Sequence, residues 1–349
     1  MLDTTAIDAP HMARVALAIA VGALGSALAI LLLLRLRARL PLAWPNRRSL
    51  HQAPVPRVGG IALWAGFMPV AAGVAGELPG GVAGWVPAWL LIVAISLWDD
   101  ARSVPVPARL CTHAACALWS AAWLMRASVG GLPGVAPGAG YLIAVAVIAL
   151  GIAWSMNLYN FMDGSDGLAG ATTLIGFAAM SVAASDDPAL RIACAALAAA
   201  SVPFLLVNRP PARMFMGDVG AVPAGYLAAM FGIGGALRGD WPAWFAALVF
   251  LPFLADATAT LVRRLLRGER IWEAHRGHYY QRLHQLGAGH AGTLALYCLV
   301  TAACAITAVL VRARAPQLGA VAVIAWVAVL AILFAAIDYH WRRKPSATR

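Results

Sequence analysis

Residues 15–34 of the chain read VALAIAVGALGSALAILLLL, twenty consecutive residues without a charged side chain. A helix of this length crosses the roughly 30 Å hydrocarbon core of a bilayer, whereas the apolar part of a signal peptide is shorter. Ten further apolar runs of comparable length follow it. We therefore interpret residues 15–34 as a retained transmembrane helix rather than a cleaved signal peptide.

The composition of the whole chain favours the same class of fold. Hydrophobic residues occupy 62% of the 349 positions and charged residues 12%, which is about half the charged fraction of an ordinary soluble domain. The apolar runs fall at about 13–35, 59–76, 82–98, 106–126, 140–158, 167–184, 188–207, 218–237, 241–262, 291–311 and 317–339. The sequence predicts an all-α, polytopic integral membrane helix bundle of about 10–11 transmembrane helices. It forms one domain over residues 1–349, and its longest interruption is a basic loop at 263–290.

The positions of lysine and arginine predict the orientation of this bundle. With the N-terminus outside, 20 of the 26 basic residues fall in inner loops or the C-terminal tail and six fall outside. The positive-inside rule then places the C-terminus and the 263–290 loop in the cytoplasm. These loops and lipid headgroups account for the net charge of +11, so we expect no nucleic acid partner. The five cysteines lie in apolar runs without CxxC spacing, which predicts neither a disulfide framework nor a metal site.

Two acidic motifs lie at the predicted inner face. The third span ends in Asp99-Asp100, where adjacent carboxylates at a helix C-terminus are unfavourable unless a cation neutralises them. The fifth span runs into a row of oxygen-bearing side chains that recur every three residues, at Asn157, Asn160, Asp163 and Asp166. Such a row lies along one helix face and suits Mg²⁺ or Mn²⁺. Ordinary interfacial acids, and an N-cap at Asp166 for the next helix, are the alternatives.

Three basic or polar loops share that face. The segment Asn208–Asp218 reads NRPPARMFMGD and enters the eighth span, where Asp218 is either a site residue or an N-cap. The sequence His275-Arg-Gly-His278 offers cationic donors that suit a diphosphate better than zinc, because no cysteine accompanies them. A loop that only faces lipid headgroups is the alternative. The Pro45–Gly60 loop combines arginines with Pro and Gly in a way that suits an anion cradle.

The order and spacing of these five motifs resemble the polyprenyl-phosphate N-acetylhexosamine-1-phosphate transferases of glycosyltransferase family 4, and in particular the undecaprenyl-phosphate branch that initiates O-antigen. The resemblance implies a Mg²⁺-dependent enzyme, with Mn²⁺ as an alternative ion, in the bacterial inner membrane. It implies transfer of N-acetylhexosamine 1-phosphate from a UDP-N-acetyl sugar to undecaprenyl phosphate at the cytoplasmic face, with release of UMP. The implied partners are these two substrates and the bilayer, and a homodimer is left open.

The same resemblance assigns roles to individual residues. The implied metal contacts are Asn160 and Asp218. The implied catalytic carboxylates are Asp99, Asp100, Asp163 and Asp166. The implied substrate-binding residues are Arg57, Asn208, Phe215, His275, Arg276 and His278, with Asn208 and Phe215 facing the nucleobase.

Departures from the family pattern separate the alternatives. The chain has Tyr279-Tyr280-Gln281 after the HRGH sequence where many relatives are rich in histidine, which favours the O-antigen branch over the muramyl-pentapeptide transferases. Ala221 stands where the MGDxGS pattern has a serine, so this chain lacks that hydroxyl. A lipid-linked substrate transporter or flippase is the alternative from another class, and it would place ionisable residues nearer the bilayer midplane.

Overall fold

The computed structural model describes residues 9–43, 54–128, 138–270 and 275–344, and thirteen α-helices lie within these ranges. The helices are α1 Ala9–Arg35, α2 Gly60–Val74, α3 Gly81–Ala101, α4 Val106–Ala127, α5 Ala139–Met162, α6 Leu168–Ala183, α7 Pro188–Asn208, α8 Asp218–Arg238, α9 Trp244–Val249, α10 Leu251–Leu266, α11 Tyr279–Leu283, α12 Gly289–Arg314 and α13 Gly319–Arg343. Two short strands, β1 Leu42–Ala43 and β2 Val55–Pro56, pair antiparallel. A π-helical segment, His284–Ala288, joins α11 to α12.

The all-α membrane architecture predicted from the sequence is confirmed. Among the described residues, seven helical runs are long and apolar enough to cross a membrane. They are Pro10–Arg35, Gly81–Ala101, Ala139–Met162, Pro188–Asn208, Asp218–Arg238, Tyr279–Arg314 and Pro316–Arg343. The shorter apolar helices Gly60–Val74 and Leu168–Ala183 accompany them. The number of ten to eleven spans and the orientation of the bundle stay predictions.

One predicted span is divided in two. The run at 241–262 forms α9 and α10, which are separated at Phe250. Pro252 lies in the first turn of α10, where its missing amide hydrogen removes no helical hydrogen bond and its fixed φ favours a new helix start.

Helices α7 and α8 form the centre of the bundle. Helix α7 packs against α1, α6 and α2, and α8 packs against α5 and α3. Small residues bring backbones close together, as in membrane bundles generally. A Cβ on Gly60 would lie 2.2 Å from Cα of Gly220, so α2 and α8 meet at a distance that only glycine permits. Large apolar side chains on the outer helices, such as Leu142 and Ile332, are exposed, as expected of surfaces that face lipid.

Candidate functional site

The start of α8 is held by a carboxylate from α3. Gly217 precedes the helix with φ +73°, and a Cβ at this position would lie 2.3 Å from the Arg57 carbonyl oxygen. The first amides of α8, those of Asp218 and Val219, donate to Asp100 at 3.2 and 2.9 Å. Asp100 therefore satisfies two amides that have no partner within the helix. Asp218 itself is the first residue of α8 and does not act as its N-cap.

Arginines on both sides neutralise the Asp99-Asp100 pair. Arg57 donates to the carbonyl oxygens of Asp99 and Asp100 at 3.2 Å each, and its Nε lies 3.3 Å from Asp100 Oδ1. The Asp99 carboxylate accepts from the Val104 amide at 2.6 Å and from Arg109 Nη1 at 2.5 Å. The same Nη1 also donates to Asp218 Oδ2 at 3.0 Å. One guanidinium thus bridges carboxylates from α3 and α8.

We name Asp99, Asp100, Asp163 and Asp218 the carboxylate cluster. The Asp218 carboxyl lies beside the Asp99 carboxyl and accepts from the Asn160 side-chain amide, and the Gly217 amide donates to Asp163. Burial, together with the nearby carboxylates of Asp218 and Asp100, raises the pKa of Asp163 well above its usual value. Acidic side chains this close to one another favour a proton or a metal cation among them.

The donor set of the cluster fits a hard divalent cation. Carboxylate and amide oxygens are the ligands that Mg²⁺ prefers, and Mg²⁺ usually takes one or two carboxylates together with phosphate and water oxygens. In the parts of the chain that the structure describes, no three Asp, Glu, His or Cys side chains converge on one metal position.

Asp166 and Asn208 lie together but contact other groups than the cluster does. Asp166 Oδ2 accepts from the Ala212 amide at 2.9 Å, and Asp166 Oδ1 lies 3.6 Å from His290 Nδ1. The Asn208 side chain accepts from the Gly167 amide at 3.0 Å and donates to the Met214 carbonyl oxygen at 2.8 Å. Both side chains hold the 209–217 segment in place. Asp166 does not cap α6, because the N-cap position is Gly167 and no side chain caps it.

Phe215 connects the 209–217 segment to the first predicted loop. Its amide donates to the Pro56 carbonyl oxygen at 2.8 Å, and its carbonyl oxygen accepts from the Gly59 amide at 2.9 Å. These bonds bring Arg57 alongside the Met-Gly-Asp turn. The part of the Pro45–Gly60 loop before residue 54 lies outside the described residues.

The predicted phosphate-binding residues His275, Arg276 and His278 lie in a loop that we name the HRGH loop, residues 275–278. Its two imidazoles stack with their ring centres 4.8 Å apart. Burial lowers the pKa of His275 to about 3, with further contributions from His278 and neighbouring arginines, so His275 is neutral at physiological pH.

Tyr280 connects this loop to the carboxylate cluster. Its hydroxyl donates to the Phe161 carbonyl oxygen at 3.0 Å, close to Asn160 and Asp163 at the end of α5. A Cβ on Gly164 would lie 2.1 Å from the Tyr280 oxygen. Tyr280 therefore packs against Gly164, the residue that follows Asp163.

A second set of contacts ties the HRGH loop to α10 and α13. Arg263 donates to both oxygens of Asp338 at 2.9 and 3.1 Å and to the Gly277 carbonyl oxygen at 3.1 Å. Arg282 contacts the same carboxylate at 2.5 Å. The Tyr279 ring stacks on Phe334 with a centre distance of 4.0 Å. The loop is thus fixed by the preceding helix α10 and, through Asp338 and Phe334, by the distant helix α13.

Arg109 is a site residue that no sequence motif indicated. It counted only as one of the basic residues that set the orientation, although it lies ten positions after Asp99. Its distance from Asp218 in sequence, 109 positions, leaves no local pattern by which their pairing could be recognised.

Comparisons with known proteins identify sequences related to this chain. The model of the family described as Glycosyl transferase family 4 matches residues 82–236, which run from α3 to α8 and contain the whole carboxylate cluster. The chain is 25% identical to the probable undecaprenyl-phosphate N-acetylglucosaminyl 1-phosphate transferase of Bacillus subtilis over 77% of this chain and 76% of that protein. It is 27% identical to the decaprenyl-phosphate N-acetylglucosaminephosphotransferase of Mycobacterium tuberculosis over 86% and 84%, respectively. A phospho-N-acetylmuramoyl-pentapeptide-transferase of Trichormus variabilis is 31% identical over 52% of this chain and 50% of that protein.

Proposed function

We propose that the chain transfers N-acetylhexosamine 1-phosphate from a UDP-sugar to undecaprenyl phosphate. It belongs to glycosyl transferase family 4 and is a membrane phosphosugar transferase that acts on polyprenyl phosphate. The observation that carries the proposal is the meeting of Asp99, Asp163 and Asp218 with Arg109 at one end of the bundle, beside the HRGH loop. Carboxylates there suit a metal and an acceptor phosphate, and the cations suit a diphosphate.

The proposed reaction is a single in-line displacement. An oxygen of the lipid phosphate attacks the β-phosphorus of the UDP-sugar, and the bond from that phosphorus to the UMP oxygen breaks. The products are UMP and a lipid-diphosphate sugar. Asp99 would orient or deprotonate the acceptor phosphate, whose second pKa near 6 requires little help at neutral pH. Arg276 and His278 would bind the donor diphosphate.

Asn160 and Asp218 are the residues that would hold Mg²⁺, or Mn²⁺ in its place. Their side chains contact each other, and Asp99 contacts the same Asp218 carboxyl. When bound, such an ion neutralises charge that develops on the leaving phosphate. Arg109 lies against both Asp99 and Asp218, so it would hold these carboxylates in register while the substrates enter.

The proposal also covers the sugar that is transferred, the pathway that uses the product and the membrane face that carries the active site. The names of the relatives from Bacillus and Mycobacterium support N-acetylglucosamine as the first sugar to test, with O-antigen or another cell-envelope glycan as the product pathway. The excess of arginine in the predicted inner loops supports a cytoplasmic active site in the bacterial inner membrane. A muramyl-pentapeptide phosphotransferase is the second candidate, because one such enzyme is 31% identical over half of its length.

The direct test uses purified protein, undecaprenyl phosphate, Mg²⁺ and a panel of UDP-N-acetyl sugars that includes UDP-N-acetylmuramoyl-pentapeptide. We expect UMP release with one or two donors from the N-acetylhexosamine group. Release with the pentapeptide donor alone would favour the second candidate. No release with any donor, together with movement of a lipid-linked substrate across vesicles, would replace the enzyme by a transporter.

Two substitutions test the site itself. Asp99→Asn and Asp218→Asn are expected to abolish UMP release while membrane insertion and melting temperature remain close to those of the wild type. Glu77→Gln, an exposed carboxylate between α2 and α3, is the matched control and should retain activity. Near-normal turnover in either Asp variant removes that residue from the proposed site. A radiolabelled phospho-enzyme trapped with the donor alone would replace the single displacement by a two-step route through an aspartyl phosphate.

A further inference from the structure

Asp256 is a completely buried carboxylate in α10 to which the proposed function assigns no role. Its Oδ1 accepts from the Tyr279 amide at 2.8 Å, and its Oδ2 accepts from the Tyr280 amide at 2.9 Å. The Tyr297 hydroxyl donates to Oδ2, and the Thr260 hydroxyl donates to Oδ1 at 3.3 Å. A buried charge is costly unless such bonds surround it. Four donors from three helices therefore converge on one carboxylate.

The two amides belong to the first turn of α11, directly after the HRGH loop. Amides in the first turn of a helix have no acceptor within that helix. Asp256 supplies the acceptor from α10, 23 and 24 positions earlier in the chain. The carboxylate thereby fixes the backbone immediately after His278.

The carboxylate also lies beside the His278 side chain. His278 Nδ1 is 3.6 Å from Asp256 Oδ1, and the imidazole is 4% exposed. Its ring is flanked by His275 and by Phe161, whose ring centre is 5.9 Å away. At 3.6 Å this contact is electrostatic rather than a hydrogen bond, since His278 Nδ1 has no hydrogen-bond partner among the described residues. The carboxylate favours a proton on the nitrogen that faces it, which leaves the other nitrogen for a second partner. Phe161 directly follows Asn160, so this imidazole lies next to the end of α5.

Resting on the proposed function, we propose that Asp256 is the positioning residue that orients His278 and the HRGH loop toward the diphosphate of the UDP-sugar donor. Asp256 itself does not contact the substrate. It acts through two backbone amides and one imidazole, all on the donor side of the site. Its loss should therefore weaken the use of the donor and leave that of the lipid acceptor unaffected.

The test measures KM for donor and acceptor separately with the full-length protein. Asp256→Asn places an amide nitrogen against backbone donors, and we expect donor KM to rise roughly tenfold or more, with acceptor KM within twofold of the wild type. Thr258→Val, which removes a polar contact on the same helix outside this network, is the control and should leave both constants unchanged. Donor and acceptor KM that rise together, or a donor KM within twofold of the wild type, overturns the proposal.

A double-mutant cycle separates positioning from a general structural effect. If Asp256 acts through His278, adding Asp256→Asn to His278→Gln should change donor KM little beyond His278→Gln alone. Additive increases overturn the proposal. If Asp256→Asn does not fold, Tyr297→Phe decides the question, because it removes one donor to the carboxylate and keeps the ring. A severalfold higher donor KM that disappears in the His278→Gln background supports the proposal, and an unchanged donor KM refutes it.

Failure of the proposed function is recognised before any variant is made, as absence of UMP release by the wild type. In that case, hydrogen exchange at the Tyr279 and Tyr280 amides decides the role of Asp256 in holding the loop. Faster exchange at these amides in Asp256→Asn than in the wild type supports that role. Equal exchange rates refute it.

Discussion

Replacing Arg109 by glutamine tests how the carboxylate cluster is kept in register. In the wild type, Arg109 Nη1 lies 2.5 Å from Asp99 Oδ2 and 3.0 Å from Asp218 Oδ2. Glutamine is shorter and uncharged, so both contacts are lost. The two carboxylates then repel each other without a bridging cation, and we expect them to separate from the arrangement that serves turnover.

The magnitude follows from the two charge-assisted hydrogen bonds. Such bonds contribute about 1.5–3 kcal/mol each. Because the Arg109 side chain is 28% exposed and that of Asp218 is 25% exposed, water screens the pair and the lower end of the range applies. The loss of one bond or of both, at about 1.5 kcal/mol each, corresponds to a fall in kcat of roughly 10- to 150-fold.

The assay is UMP release at saturating donor, acceptor and Mg²⁺. Arg109→Lys keeps the charge but lacks the planar guanidinium, so it should recover only part of the activity. Arg102→Gln removes an exposed charge at the end of α3, just before α4, and serves as the control. A kcat for Arg109→Gln within twofold of the wild type would refute the reasoning. The guanidinium would then serve only to offset the charge of the Asp99 and Asp218 carboxylates when no metal is bound.

Three further outcomes are expected. Gly164→Ala should lower the melting temperature and raise donor KM, because the new Cβ would lie 2.1 Å from the Tyr280 oxygen. Overpacking of this kind costs about 1–3 kcal/mol. The defect should shrink when Tyr280→Phe is added, and a defect of the same size in the double variant contradicts the contact. Burial lowers the pKa of His275 to about 3 from its usual 6.5. Below pH 6.5 the unfolded chain therefore binds a proton that the folded protein does not bind, so acidification destabilises the fold. The melting temperature of His275→Gln should therefore fall less between pH 7 and pH 5 than that of the wild type, and an equal fall would show that this imidazole does not contribute. Removing divalent cations with EDTA should abolish UMP release, and Mg²⁺ or Mn²⁺ should restore it; full turnover in EDTA would exclude a metal role for Asn160 and Asp218.

Most helix positions were predictable from the sequence because they depend on local properties. Apolar runs of 16 or more residues bounded by Gly, Pro or charged residues correspond closely to α1, α5, α8 and α13. The exception is the run at 241–262. Its hydropathy is continuous, but the backbone breaks at Phe250 just before Pro252. Hydropathy records the preference for lipid and does not report where one helix ends and another begins.

The sequence predicted which residues belong to the candidate site better than it predicted how they are arranged. The three-residue spacing predicted that Asn157, Asn160, Asp163 and Asp166 lie along one helix face, yet α5 ends at Met162 and the carboxylates of Asp163 and Asp166 diverge. Asp163 joins the cluster, whereas Asp166 accepts from Ala212. The catalytic and binding roles of these residues stay predictions until turnover is measured.

Local sequence properties predict the membrane class of this protein, the order of its helices and the residue types that gather near one face. These follow from hydropathy and spacing, which act over a few neighbouring residues. Only the tertiary structure decided that Asp100 caps α8, that Arg109 bridges Asp99 and Asp218, and that Asp256 holds the start of α11. The physical reason is that these donors and acceptors come from different helices, and only the packing of the bundle brings them within hydrogen-bonding distance.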